Sequence, residues 1–100
     1  VTIGKNVTSI GKSAFYSCTS LKKITIPSKV SKIGAKAFAK CKKLSRITIK
    51  TTKLKSAKIG SQALKGISSK AVIKVPASKK ASYKKILLKR GVTKKMKIKS

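Results

Sequence analysis

The sequence predicts a repeat solenoid of short parallel β-strands and short helical turns, closed by a C-terminal capping α-helix. Three observations predict it. An apolar signature returns every 23 residues, with Ile10-Gly11, Phe15, Cys18, Leu21, Ile24 and Ile26 recurring as Ile33-Gly34, Phe38, Cys41, Leu44, Ile47 and Ile49. A third copy, delayed by three extra residues, runs Ile59-Gly60, Ala63-Leu64, Ile67, Ile73 and Val75. After Pro76 the pattern stops and helix formers take over. Units of this length cannot bury an apolar face alone, so neighbours must cover one another and an elongated scaffold results. Residues 1–76 are expected to form about three coils and residues 77–100 the cap.

Each coil has the same internal order. Leu21 to Ile26 carries the β-branched alternation of a short strand, which Pro27 ends. Val30 to Ile33 gives a second short strand, and Gly34 bends the chain into Ala35–Cys41. There Ala37, Phe38 and Cys41 fall at three-to-four spacing, which predicts a single helical or 3₁₀ turn. Equivalent strands should pair in parallel about 4.8 Å apart, with Phe15 and Phe38 both in the core. Val1-Thr2-Ile3 occupies the place of Ile24-Thr25-Ile26, so the first coil begins at an open edge and further coils are expected upstream.

In the C-terminal quarter, Ser78 is a suitable N-cap for a helix over about 79–90, with Tyr83, Ile86 and Leu87 on one stripe. Gly91 suits the left-handed residue that closes a helix. Val92 to Ile98, where Met96 and Ile98 alternate with lysines, predicts a final edge strand.

Composition narrows function by what is missing. The 100 residues include 28 Lys and Arg but no Asp, Glu or His, for a net charge of +28. Acid–base catalysis, nucleophilic triads and hard-metal sites draw mainly on carboxylates and imidazole, so the chain is read as non-enzymatic and no cofactor is expected. Its longest aliphatic run, Ile86-Leu87-Leu88, is far short of a bilayer span of roughly 20 residues. Cys18 and Cys41 share one repeat position, close enough for a disulfide if stacked. Ile67 fills that position in the third copy, which favours an apolar slot and buried thiols. Two cysteines with no histidine do not make a zinc site.

The run Ile33-Gly34-Ala35-Lys36-Ala37-Phe38-Ala39-Lys40-Cys41-Lys42-Lys43-Leu44, with Leu21-Lys22-Lys23-Ile24-Thr25-Ile26-Pro27, resembles the BspA-type leucine-rich repeat of bacterial cell-surface proteins. The resemblance spans about residues 1–76. It implies a leucine-rich-repeat-like solenoid, export to the cell surface or beyond, and adhesion through arrays of coils. It offers no catalytic motif to transfer.

Laying the second coil on the first places Lys32, Lys36, Lys40, Lys42 and Lys43 over Ser9, Ser13, Ser17, Thr19 and Ser20. Two ammonium groups about 5 Å apart in water repel by roughly 0.8 kcal/mol, so this stagger spares the stack. Lys23 over Arg46 breaks the pattern. With Lys22, Thr25, Thr48, Lys50 and Lys74 they are expected to form one basic, hydroxyl-dotted strip on the inner strand face. The expected partners are an anionic polymer, a glycan or an acidic protein surface, with nonspecific nucleic-acid binding at low salt. A nucleic-acid-binding role and a purely structural spacer are the alternative readings. Against specific nucleic-acid readout, arginine appears only as Arg46 and Arg90.

Overall fold

The computed structural model describes residues 3–100. Its strands are short and β-branched: β1 (Ser9–Ile10), β2 (Lys23–Ile26), β3 (Lys32–Ile33), β4 (Arg46–Ile49), β5 (Val72–Lys74) and, near the C-terminus, β6 (Lys97–Lys99). All pair in parallel. β1 pairs with β3, and a four-stranded sheet runs in the order β2-β4-β5-β6. Its register is the sequence repeat itself: Ile24 lies opposite Ile47 and Ile26 opposite Ile49, while Ile47 also faces Ile73 and Ile73 faces Ile98. An isolated bridge between Ile33 and Ile59 carries the β1–β3 ladder into the third unit.

Both strand types are shorter than the sequence predicts. Leu21 and Val30 send their N–H groups to carbonyls of their own unit, Cys18 at 3.1 Å and Pro27 at 3.2 Å, so the backbone is still turning where extended pairing was expected. Val1 and Thr2, read above as part of an edge strand, lie outside the described residues. Ile3, the last of that triplet, packs partly buried against the core.

The predicted helical turn over 35–41 is corrected to a run of tight turns. Alternate amides divide their bonds. Ala37, Ala39 and Cys41 donate three residues back within their own unit, while Lys36, Phe38 and Lys40 donate to Ser61, Ala63 and Lys65 of the next. The first unit repeats this, with Ser13, Phe15 and Ser17 donating to Ala35, Ala37 and Ala39. A helix would have kept every bond inside the unit. The bonds to the neighbour require left-handed backbone at Ser13, Ser17, Lys36, Lys40 and Gln62 (φ 56–60°), with glycine at the last such place, Gly66. Each non-glycine residue there costs about 1 kcal/mol, which the ladder offsets.

Glycine is required where units approach closest. A Cβ on Gly34 would sit 2.6 Å from the Gly11 carbonyl carbon, and one on Gly60 would sit 2.8 Å from that of Gly34. A Cβ on Gly91 would meet the Leu64 carbonyl carbon at 2.7 Å, whereas one on Gly11 would meet nothing within 4 Å.

The three extra residues of the third copy acquire a reason from the C-terminal segment. The chain from Thr51 to Leu54 bulges away from the repeat and ends in a 3₁₀ turn, Ser56–Lys58. Helix α1 (Lys80–Leu88), entered through a second 3₁₀ turn at Ala77–Lys79, reaches this bulge through Tyr83, and Arg90, just past the helix, reaches its 3₁₀ turn. The buried Tyr83 hydroxyl donates to the Thr51 carbonyl at 2.7 Å and accepts from the Leu54 N–H at 3.2 Å. Arg90 donates to the carbonyls of Ile59 (2.8 Å) and Ser56 (3.0 Å). Thr51, buried despite its hydroxyl, donates to the Val30 carbonyl.

The N-cap assignment to Ser78 does not hold. That residue lies in the 3₁₀ turn, and Lys79 precedes the helix with no side-chain cap. The Pro76 carbonyl accepts the Lys79 N–H at 2.9 Å, so backbone takes up a bond that a cap would otherwise make. At the other end the expected closure holds: Gly91 has φ 111°, and the Val92 N–H reaches back to the Leu87 carbonyl at 3.1 Å.

One apolar cluster fills the interior from Ile10 to Met96, with Phe38 fully buried. Phe15 is only half-buried, but its ring stacks on Phe38 at 5.2 Å between centroids and 3° between planes. The expected elongation is absent, since the molecule measures 28 × 27 × 21 Å. Four strands spaced about 4.8 Å apart do not outgrow the width of one unit.

Candidate functional site

Period-two alternation within the strands sends isoleucines inward and everything else to one solvent face. On β2 and β4, Ile24, Ile26, Ile47 and Ile49 are buried, while Lys23, Thr25 and Arg46 are exposed and Thr48 is half-buried. Register then assembles the face in rows. Lys23 lies opposite Arg46, and the row continues through Val72 to Lys97. The second row runs Thr25, Thr48, Lys74, Lys99.

The structure therefore brings together five of the seven strip residues expected from sequence: Lys23, Thr25, Arg46, Thr48 and Lys74. Lys50 follows β4 directly and shares with Lys23 and Thr25 the wall of a cavity of about 490 Å³. Lys22 precedes β2 and stands outside the rows. Its carbonyl accepts the Ser45 and Arg46 amides at 2.9 and 3.2 Å while its side chain is exposed.

Lys97 and Lys99 extend the strip and were not among the expected residues. Their signal is present in the alternation of Met96 and Ile98 with lysines, which predicts a final edge strand over Val92–Ile98. That edge strand forms over Lys97–Lys99 only and pairs with β5, where Ile98, opposite Ile73, adds to the inner face while Lys97 and Lys99 stay exposed.

Electrostatically the strip has no internal counterweight, because the chain carries no Asp or Glu. Among the described residues, none of its cations donates a side-chain hydrogen bond to another part of the protein. The like-charged neighbours Lys23/Arg46 and Lys74/Lys99 are a standing cost to the sheet. An anion bridging either pair removes that cost on binding.

The two cysteines are free thiols. Cys41 is buried and donates to the Phe15 carbonyl at 2.9 Å. Burial pushes its thiol above the ordinary range, and the nearby Cys18 contributes a smaller opposing hydrogen bond. Cys18 is half-buried rather than buried as expected, since it lies in the first unit, with the second on one side. Among the described residues no group of three or more metal-ligating side chains converges, and no helix is long and apolar enough to cross a membrane.

A family model described as a BspA type leucine rich repeat region, in 6 copies, matches residues 1–98. No curated protein and no solved structure matches the chain.

Proposed function

The chain belongs to the BspA-type leucine-rich repeat family, and from that premise we propose that it is a non-catalytic adhesion module, secreted or surface-attached, that holds an anionic partner against its sheet. The partner is a polyanionic polymer, a glycan or an acidic protein surface. Lys22, Lys23, Thr25, Arg46, Thr48, Lys50 and Lys74 contact it, joined by Lys97 and Lys99. Residues 77–100 act as the cap of the repeat array.

One observation carries this reading. Lys23 lies beside Arg46 in one row, and Thr25 and Thr48 lead to Lys74 and Lys99 in the next, on a chain with no Asp or Glu to neutralise them. Fixed rows present charge at intervals set by backbone spacing, which a flexible lysine tail does not do.

Calorimetric titration with inorganic polyphosphate and with a sulfated glycan at about 0.15 M salt, where distant charges are screened, tests it. Reversing Lys23 and Arg46 together to Glu should weaken binding about tenfold, or about 1.4 kcal/mol. Reversing Lys84 and Lys89, exposed on and beside α1, should weaken it far less. Equal losses would mean that net charge alone attracts the polymer.

A further inference from the structure

A second recess lies among the tight turns rather than on the sheet. Three equivalent positions of successive units form a column there: Tyr16, Ala39 and Lys65, aligned by the bonds from the Ser17 amide to the Ala39 carbonyl and from the Lys40 amide to the Lys65 carbonyl. The middle member is small and the outer two are large. Ala39 thus floors a depression of about 370 Å³ whose walls include Tyr16, Lys36, Lys40 and Gln62. Gly66, at the place Lys40 holds in the preceding unit, also lines the recess and adds no side chain to fill it.

The chemistry of the walls is specific. Tyr16 is 40% exposed, whereas the other tyrosine, Tyr83, is 1% exposed and committed to the Thr51 bulge. Lys40 holds its ammonium over the Tyr16 ring, 5.6 Å from its centre, so a sugar that stacks on this face turns the lysine aside toward the anionic group. Lys36 and Lys65 add two more cations, and Gln62 adds an amide that can both donate and accept. The chain has no carboxylate side chain to place among these cations.

We propose that this recess binds an acidic sugar unit, a uronate or sulfated pyranose, with its apolar ring face against Tyr16, its anionic group among Lys36, Lys40 and Lys65, and a hydroxyl on Gln62. Ligand pockets begin at roughly 300 Å³, so the volume suits about one or two sugar rings. A nucleic-acid strand fits less well, because single-strand binders stack successive bases on several aromatic platforms and this face offers one. The site is separate from the sheet strip and stands without it.

The test follows a tetrasaccharide of alternating uronate and N-sulfated glucosamine by NMR on the whole chain, at about 0.15 M salt. The Tyr16 ring and Ala39 methyl signals should shift and saturate, and a desulfated, carboxyl-reduced version should leave them in place. Tyr16→Ala and Ala39→Leu should each weaken the tetrasaccharide at least about tenfold while leaving polyphosphate affinity within about twofold. Ala39→Leu is informative because it fills the floor without altering charge; if it fails to fold, Tyr16→Ala decides alone. Lys23→Glu with Arg46→Glu should leave the Tyr16 shifts intact even while weakening binding at the strip about tenfold. Wild-type affinity in both recess variants, a parallel loss of polyphosphate binding, or equal movement of the Tyr16 signals by an oligothymidylate of matched charge would each overturn the assignment.

Discussion

Replacing Tyr83 with Phe removes one oxygen from a site where two backbone groups depend on it. The hydroxyl is sealed in the core, donating to the Thr51 carbonyl at 2.7 Å and accepting the Leu54 amide at 3.2 Å. Phe fills the same volume, so no cavity term arises and the loss is electrostatic. It strands a buried amide and a buried carbonyl, and stranded groups cost about 1–3 kcal/mol. We expect a loss of about 2 kcal/mol, which for a domain of this size lowers Tm by about 8–16 °C.

Urea denaturation followed by circular dichroism measures the loss, with Tyr16→Phe as an exposed control that should stay within about 0.5 kcal/mol. The same pair of proteins carries a pH signature. Burial raises the Tyr83 phenol above its usual value of about 10, partly countered by the Leu54 amide, so the folded protein resists its ionisation. The stabilisation this represents is complete below about pH 10 and is lost as pH rises beyond it. The stability gap between wild type and Tyr83→Phe should therefore narrow above pH 10 and be constant below it. A Tyr83→Phe protein as stable as wild type at pH 7 would refute the claim that this hydroxyl fastens the helix to the bulge.

Gly34→Ala should destabilise by more than about 2 kcal/mol, because its methyl would sit 2.6 Å from the Gly11 carbonyl carbon, whereas Gly11→Ala should change stability by less than about 0.5 kcal/mol; comparable losses in denaturant titrations would contradict the close approach. Added salt should raise Tm, since a net charge of +28 and the facing pairs Lys23/Arg46 and Lys74/Lys99 repel without compensation; a melting point unchanged between low and moderate salt would count against it. Iodoacetamide at mild alkalinity should modify Cys18 well before Cys41, which is buried with its thiol pushed up by that burial; peptide mapping that finds equal labelling in the native protein would show the interior to be more open than described.

The repeat made the sheet legible in advance. A period of 23 places Lys23 on Arg46 and Ile24 on Ile47 as soon as parallel stacking is assumed, and the structure has those pairs. The tight turns were not legible for a physical reason: Ala37, Phe38 and Cys41 keep helical spacing because all three face inward, yet their amides alternate between two units. Side-chain periodicity reports which face is buried and is silent on where the backbone bonds go. Tyr83 was recognised as a stripe residue without its hydroxyl bonds, since the bulge it fastens belongs to the three residues that interrupt the repeat. At the site, the strand rows followed from register, whereas Lys97 and Lys99 did not, because β6 comes from outside the recurring signature. The recess at Tyr16 rests on a large–small–large column that becomes visible only when three units are aligned with the late third copy.

The division of amide bonds in the turns reaches beyond folding. Neighbouring units join through main-chain hydrogen bonds, through the absence of a methyl at Gly34, Gly60 and Gly91, and through inward-facing apolar side chains, so most solvent-facing side chains carry little architectural duty. Such a chassis can be repainted. Its surface charge can change without redesigning the interior, and a twin bearing Glu at each outward lysine should adopt the same backbone while seeking cationic company instead.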